Sequence, residues 1–226
     1  GLGVFAAELR SALLRGEVDL AVHSLKDLPV DPVPGLVIAA TPERESPRDA
    51  LCSRDGLSLA ELPGGARVGT GSPRRVAQLR ALRPDLVFID IRGNIDTRLS
   101  RVTSGDLDAV VLAAAGLRRL GLARRITEEL PILPAPGQGA LGIECRADDV
   151  TLIAALKALE DADTRLAVTE ERAVLAALGG GCAAPIAALG TGDGLAAGVY
   201  SADGTRQTRT EVPLISGAGR TAATRL

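Results

Sequence analysis

Between residues 67 and 120, short apolar runs alternate with amphipathic ones, and small residues or glycine mark the changeovers. The pattern predicts strands over 67–69, 86–91 and 107–112, and helices over 73–82, 95–103 and 114–120. Strand–helix alternation at this spacing demands a parallel or mixed sheet covered on both faces, because parallel neighbours need a crossover long enough to hold a helix. Ligands in such sheets sit beyond the carboxyl ends of the strands. The turns after Gly69, Ile91 and Leu112 are therefore where function is expected.

On either side the pattern is less regular. Apolar residues recur at helical spacing over 4–14, Gly16 stops them, and 18–22 reads as a short buried strand that delivers His23-Ser24-Leu25-Lys26-Asp27 into a loop. A second strand, 36–40, follows Pro29, Pro32 and Pro34, and the polar stretch 41–48 reads as a connector between domains. Pro131, Pro134, Pro136 and Gly137-Gln138-Gly139 mark a second crossing. Beyond it come a strand over 141–144 and helices over 150–159 and 163–178, the latter capped by Asp163 or Thr164 and stopped at Gly179-Gly180-Gly181. The remainder, from Ile186, reads as a small antiparallel sheet that breaks off early, and there are no internal repeats.

Composition narrows the function classes. Of 226 residues, 46% are apolar and 24% charged, which is ordinary for a soluble globular protein with a buried core. Aromatics are only 1%, with two Phe, one Tyr and no Trp, so the core is built from Leu, Val, Ile and Ala, and base-stacking platforms are nearly excluded. A net charge of −2 supplies no global field for nucleic acid or anionic membranes. The longest apolar run, residues 110–117, is far short of a bilayer span, and residues 1–10 carry Glu8 where a secretory signal would be apolar, so a cytoplasmic protein is expected. The text opens without Met inside a glycine-rich turn, so a fragment is expected. Cys52, Cys145 and Cys182 stand far apart beside a single His, which argues against a disulfide framework and a zinc site, and no metal is expected.

Five motifs carry chemistry. In Gly69-Thr70-Gly71-Ser72-Pro73-Arg74-Arg75, Ser72 is the N-cap and Pro73 the first helical residue, which leaves free backbone N–H groups and two guanidiniums for a carboxylate or phosphate. The competing reading is a well-capped helix with exposed arginines. Arg92-Gly93-Asn94 with Thr97-Arg98 repeats the arrangement, and Arg118-Arg119 supplies a third basic pair. Singly these are solvated faces; together they describe a cleft for a ligand bearing several anions. Asp27, beside Lys26, is either a turn residue capping a local N–H or the anion that stabilises a cationic intermediate. His23 reads as a hydrogen-bonded structural histidine. Of the cysteines, Cys52 and Cys145 sit in strand-like apolar contexts, and Cys182, after three glycines, is the candidate for covalent chemistry.

In order along the chain, His23 to Pro29, Gly69 to Arg75, Arg92-Gly93-Asn94 with Thr97-Arg98, Pro136 to Gly139, Gly142 to Arg146 and Gly179 to Cys182 closely resemble porphobilinogen deaminases, the hydroxymethylbilane synthases. The resemblance implies an α/β fold with two periplasmic-binding-protein-like (type II) lobes of mixed sheets, joined by two crossover strands, and a small C-terminal α/β domain with an antiparallel sheet. The expected bounds are 1–43 with 140–158 for the first lobe, 46–136 for the second and 162–226 for the third domain. It also implies a dipyrromethane cofactor on Cys182, to which four porphobilinogen units are added before hydrolysis releases a linear tetrapyrrole. Asp27 matches the catalytic carboxylate that assists ammonia loss and stabilises an azafulvenium-like cation. Lys26, Arg74, Arg75, Arg92, Arg98 and Arg119 match positions binding acetate and propionate groups, Ser72 a hydrogen-bonding position, and Phe5 an aromatic near the substrate pyrrole.

The family begins with a strand and an Arg- and Ser-bearing loop upstream of residue 1, and a lysine of its glycine-rich loop falls at Leu2, so the first lobe is expected to expose a sheet edge. The third domain is expected to stop before its final helix. The partner expected is the small-molecule substrate alone, with no nucleic acid, no membrane and a monomeric chain. The competing classes are an inactive fragment or anion-binding module of similar fold, and a nucleic-acid binder, which the charge and the lack of aromatics oppose.

Overall fold

The computed structural model describes residues 2–180, 184–192 and 194–226, with side chains from residue 6 onward. Helix α1 (Leu2–Leu14) leads through a turn at Gly16 to β1 (Leu20–Ser24), and β2 (Leu36–Ala40) follows. Both pair antiparallel with a strand from much later in the chain, Leu141–Arg146, giving one three-stranded sheet with that strand at its centre. Arg146 closes the α1–β1 turn by donating to the Leu13 and Val18 carbonyls, at 3.1 and 2.9 Å. Pairing therefore starts only at Leu20, opposite Cys145. The strand expected over 18–22 is shifted two residues on, which moves His23 out of the loop and into the sheet. Strand β1 lies at the edge of this sheet, and its Leu20 and Val22 are 39% and 53% exposed.

Residues 41–48 have no regular structure and lead into β3 (Asp49–Ser53). The second sheet adds β4 (Arg67–Gly69), β5 (Val87–Ile89), β6 (Ala109–Ala113) and β7 (Glu128–Leu130), in the order β5-β4-β6-β3-β7. Its interleaved helices are α2 (Pro73–Leu82), α3 (Ile95–Thr103) and α4 (Ala114–Arg119). Strands β4, β5 and β6 run parallel while β3 and β7 run against β6 and β3, so the sheet is mixed. One face packs Leu51, Val68, Leu79, Val111 and Leu130, and the other Cys52, Ile91, Leu99, Val110 and Leu117.

The central strand of the first sheet is β8 (Leu141–Arg146), followed by α5 (Val150–Leu156) with a 3-10 turn at Lys157–Leu159 and then α6 (Ala162–Ala177). Asp161 caps α6 by accepting from the Thr164 amide at 2.7 Å, two residues before the first cap expected from sequence. At its other end the Gly180 amide donates to Leu175 and Gly179 to Ala176, a Schellman closure with Gly179 at φ +63°. Strands β9 (Ile186–Thr191), β10 (Gly194–Tyr200) and β11 (Gln207–Pro213) form the expected antiparallel meander, covered by α6 and α7 (Ala218–Ala223). Among the described residues no helix is long and apolar enough to cross a membrane.

Candidate functional site

Because β4, β5 and β6 are parallel, their carboxyl ends share one edge of the second sheet, and the three basic motifs follow those ends. Ser72 caps α2 by accepting from the Arg75 amide at 3.5 Å, and Asn94 caps α3 by accepting from Thr97 at 2.8 Å. The loops after β4 and β5 come so close that a Cβ on Gly71 would stand 2.6 Å from the Ile91 carbonyl oxygen. Glycine is required there for the approach. Arg92 is exposed, 3.5 Å from Asp90, and Arg98, half-buried, donates from Nε to the Gly93 carbonyl at 2.9 Å. Arg119 is exposed and donates to the Gly139 carbonyl at 2.8 Å. Its neighbour Arg118 ends instead on Glu45 and Glu129.

Arg74 and Arg75 differ from the expectation of guanidiniums open to a ligand. Both are buried, and both meet Asp49, a fully buried carboxylate at the start of β3. Strand β3 runs antiparallel to β6 with Asp49 opposite Ala113, so its first residue falls on the same edge as the carboxyl ends of its neighbours. Arg74 Nη1 is 2.8 Å from Asp49 Oδ2, Arg75 Nε is 2.7 Å from Oδ1, and the Gln138 amide donates to Oδ1 at 2.9 Å. Burial alone would raise the Asp49 carboxyl, but the two guanidiniums outweigh it and hold it well below the usual carboxylate range. The cluster is not fully satisfied. Arg74 Nε and Gln138 Oε1 are buried without a hydrogen-bond partner among the described residues.

Lys26 and Asp27 approach this edge from the first sheet. They occupy the turn after β1, closed by the Asp27 amide on the Ser24 carbonyl at 3.0 Å and the Leu25 amide on Ala140 at 3.1 Å. Arg172 of α6 grips the turn, donating to the carbonyls of Leu25, Leu28 and Pro29 at 2.6–2.9 Å. Burial pushes the Lys26 ammonium down to about 8; Arg75 adds to this, and Asp27 and Asp49 oppose it. Burial and then Arg92 lower Arg98, with Asp27 again opposing. The two sheets therefore place Lys26, Asp27, Arg74, Arg75 and Arg98 within each other's fields. Among the described residues no hydrogen bond reaches the half-buried Asp27 carboxylate, so the reading of it as a local cap is not supported.

His23 is buried with Nε2 3.1 Å from Glu144, which also takes Arg10, the structural role expected for it. Burial raises the Cys52 thiol to about 11 and also raises Cys145, which leaves both poor sources of thiolate. Cys182 and the Phe5 side chain lie outside the described residues. Sequence reasoning missed Asp49, Arg172 and the anchoring role of Gln138. The signal for Asp49 was present, since a carboxylate opening an otherwise apolar strand requires a buried partner.

Residues 1–154 match the family model described as the porphobilinogen deaminase dipyrromethane cofactor-binding domain, and residues 165–220 match that of the porphobilinogen deaminase C-terminal domain. A porphobilinogen deaminase of Thermobifida fusca is 56% identical over 93% of this chain and 69% of its own length. Those of Nocardia farcinica and Streptomyces coelicolor are each 60% identical over 84% of this chain, and the matches span 56% and 61% of their lengths. Among solved structures, a YaeC-family lipoprotein of Enterococcus faecalis overlays 72% of this chain and 80% of its own at 18% identity, with a TM-score of 0.44.

Proposed function

The chain belongs to the porphobilinogen deaminase family, and from that premise we propose that it is a hydroxymethylbilane synthase. Four porphobilinogen molecules are condensed, each with loss of ammonia, onto a dipyrromethane primer carried by Cys182, and hydrolysis releases the linear tetrapyrrole. The primer brings carboxylates on each ring, and the cleft has the groups to receive them. Lys26, Arg92, Arg98 and Arg119 supply cations around it, Ser72 a hydroxyl, and Arg74 a guanidinium whose buried Nε has no hydrogen-bond partner among the described residues. Arg75 stands beside Arg74 on Asp49 and adds to the positive field. Guanidiniums suit this ligand because they bind carboxylates in bidentate geometry. The two raised thiols of Cys52 and Cys145 support Cys182 as the anchor. When bound, the primer supplies a free pyrrole carbon as nucleophile.

The chain's own contribution centres on Asp27. Loss of ammonia from porphobilinogen leaves positive charge on the substrate, and a carboxylate about 4 Å away is worth on the order of 4 kcal/mol at an effective dielectric of 20. That is roughly a thousandfold in rate. The observation that carries this reading is the Asp27 carboxylate, half-buried and, among the described residues, free of hydrogen bonds, in the field of Lys26 and Arg98. Lys26 and the arginines orient the acidic side chains and leave Asp27 as the anion next to the reacting carbon. The same reading makes the protein a cytoplasmic monomer with Phe5 near the substrate ring.

The test is porphobilinogen consumption by the protein alongside Asp27→Ala and Cys182→Ser. Asp27→Ala is expected to lose nearly all turnover while keeping the covalent cofactor, seen as the added mass in intact-protein mass spectrometry; Cys182→Ser is expected to lose both. Normal turnover in either variant defeats the assignment. Retained binding of porphobilinogen with no turnover by the parent protein would make it an anion-binding module.

A further inference from the structure

A cavity of about 410 Å³ lies between β2, Arg10 of α1 and the side of α6, and none of the candidate site residues lines it. Its volume falls in the range of small-molecule sites. Guanidinium donors are in surplus on its wall. Arg10 turns Nε and Nη2 to Glu144, and Arg165 turns Nε and Nη2 to Glu160 and the Ile38 carbonyl. A guanidinium carries five N–H donors, so each arginine has more donors than these contacts use. The Glu144 oxygens are already taken by Arg10 and His23, and the remaining acid on the wall, Asp31, is exposed. Val30, Ile38 and Val168 add apolar lining.

We propose that this cavity binds a small carboxylate with a branched aliphatic body, its anionic end toward Arg10 and Arg165. The site is separate from the cleft, and the claim stands independently of the reaction assigned there. It has a direct route to the cleft, because Arg172 lines the cavity and donates to three carbonyls of the turn that carries Asp27. An occupant is expected to steady that turn.

The probe is 4-methylpentanoate, titrated into the whole chain by calorimetry and followed by methyl NMR, with 4-methylpentanamide as the uncharged comparison. Thr169→Trp fills the mouth from an exposed lining position, and Ala176→Trp does so from a second one if the first variant misfolds by circular dichroism. Arg92→Gln with Arg98→Gln removes carboxylate binding at the cleft. The expected result is saturable 1:1 binding, weakened about tenfold or more by the amide and by either Trp variant. The double Arg variant should bind as the parent does. Val30 and Val168 methyl shifts should follow saturation, with slower amide exchange at Leu25 and Leu28. No saturable binding, undiminished binding in a folded Trp variant, or binding lost only in the double Arg variant would overturn the site, and equal binding of the amide would overturn its anion preference.

Discussion

Lys26 is the one cleft cation whose charge is set near neutrality. Its folded value of about 8 lies below its ordinary value of 10.5, so the native state releases the proton first. From about pH 8 to about 10.5 this group makes folding more favourable as pH rises, while the cation that binds carboxylates is being lost. The Michaelis constant for porphobilinogen is therefore expected to climb above pH 8. In Lys26→Arg it should stay flat over pH 7–9.5, because guanidinium does not titrate there. Parallel pH profiles for the two proteins would remove Lys26 from substrate binding. Asp49 works in the opposite sense. Its folded value is depressed, so its contribution is complete above the ordinary 3.8 and fades as pH falls below it. Asp49→Asn leaves two buried guanidiniums without their counter-charge, a loss of about 3–5 kcal/mol. Urea unfolding at pH 7 measures it, and a change under about 1 kcal/mol would mean that Arg74 and Arg75 find water or another anion.

The two crossing segments, 41–48 and 131–140, bring the sheets together. Gln138 donates to the Pro47 carbonyl at 2.7 Å, and Gly139, at φ +87°, lies so close that a Cβ there would stand 2.3 Å from the Glu45 carbonyl oxygen. Gly139→Ala meets both a left-handed backbone and a backbone wall, so a loss of at least about 1–3 kcal/mol is expected in thermal unfolding. Gly16→Ala, at φ +69° with open space around it, serves as the control for backbone strain alone. Equal losses would show that the close contact does not matter. Elements with a clear period were legible in the sequence: α2, α3, β2 and β4 fall on their expected bounds. The arginine edge was legible too, since parallel strands put their carboxyl ends together. What sequence could not show was pairing across distance. The start of β1 is fixed by Cys145 and Arg146, more than a hundred residues later, and the burial of Arg74 and Arg75 by a carboxylate on a strand running the other way.

Across the molecule, one side chain of α6 joins the third domain to the crossings. Glu171 is fully buried and accepts from Arg44 at 2.6 and 3.0 Å, from the Gly137 amide at 2.7 Å, and from the Gly190 amide of β9 at 2.8 Å. Its oxygens thus tie both crossings to the antiparallel sheet, and its neighbour Arg172 holds the Asp27 turn from the same helix. Such a hub is expected to make the three sheets unfold together. Glu171→Gln keeps the shape but loses the charge and presents N–H where donors already point, which leaves Arg44 or an amide unsatisfied at a cost of about 3 kcal/mol. For a chain of this size that corresponds to roughly 6–12 °C in Tm. The sharper readout is cooperativity. In calorimetry the parent is expected to give one transition whose calorimetric and van't Hoff enthalpies agree, whereas Glu171→Gln should split it, with the third domain melting apart from the lobes. Slower porphobilinogen turnover should accompany the split, since the turn bearing Asp27 is held from the uncoupled helix. If Glu171→Gln melts in one step at the parental temperature, the domains are joined by their apolar contacts, and control of the Asp27 turn lies elsewhere.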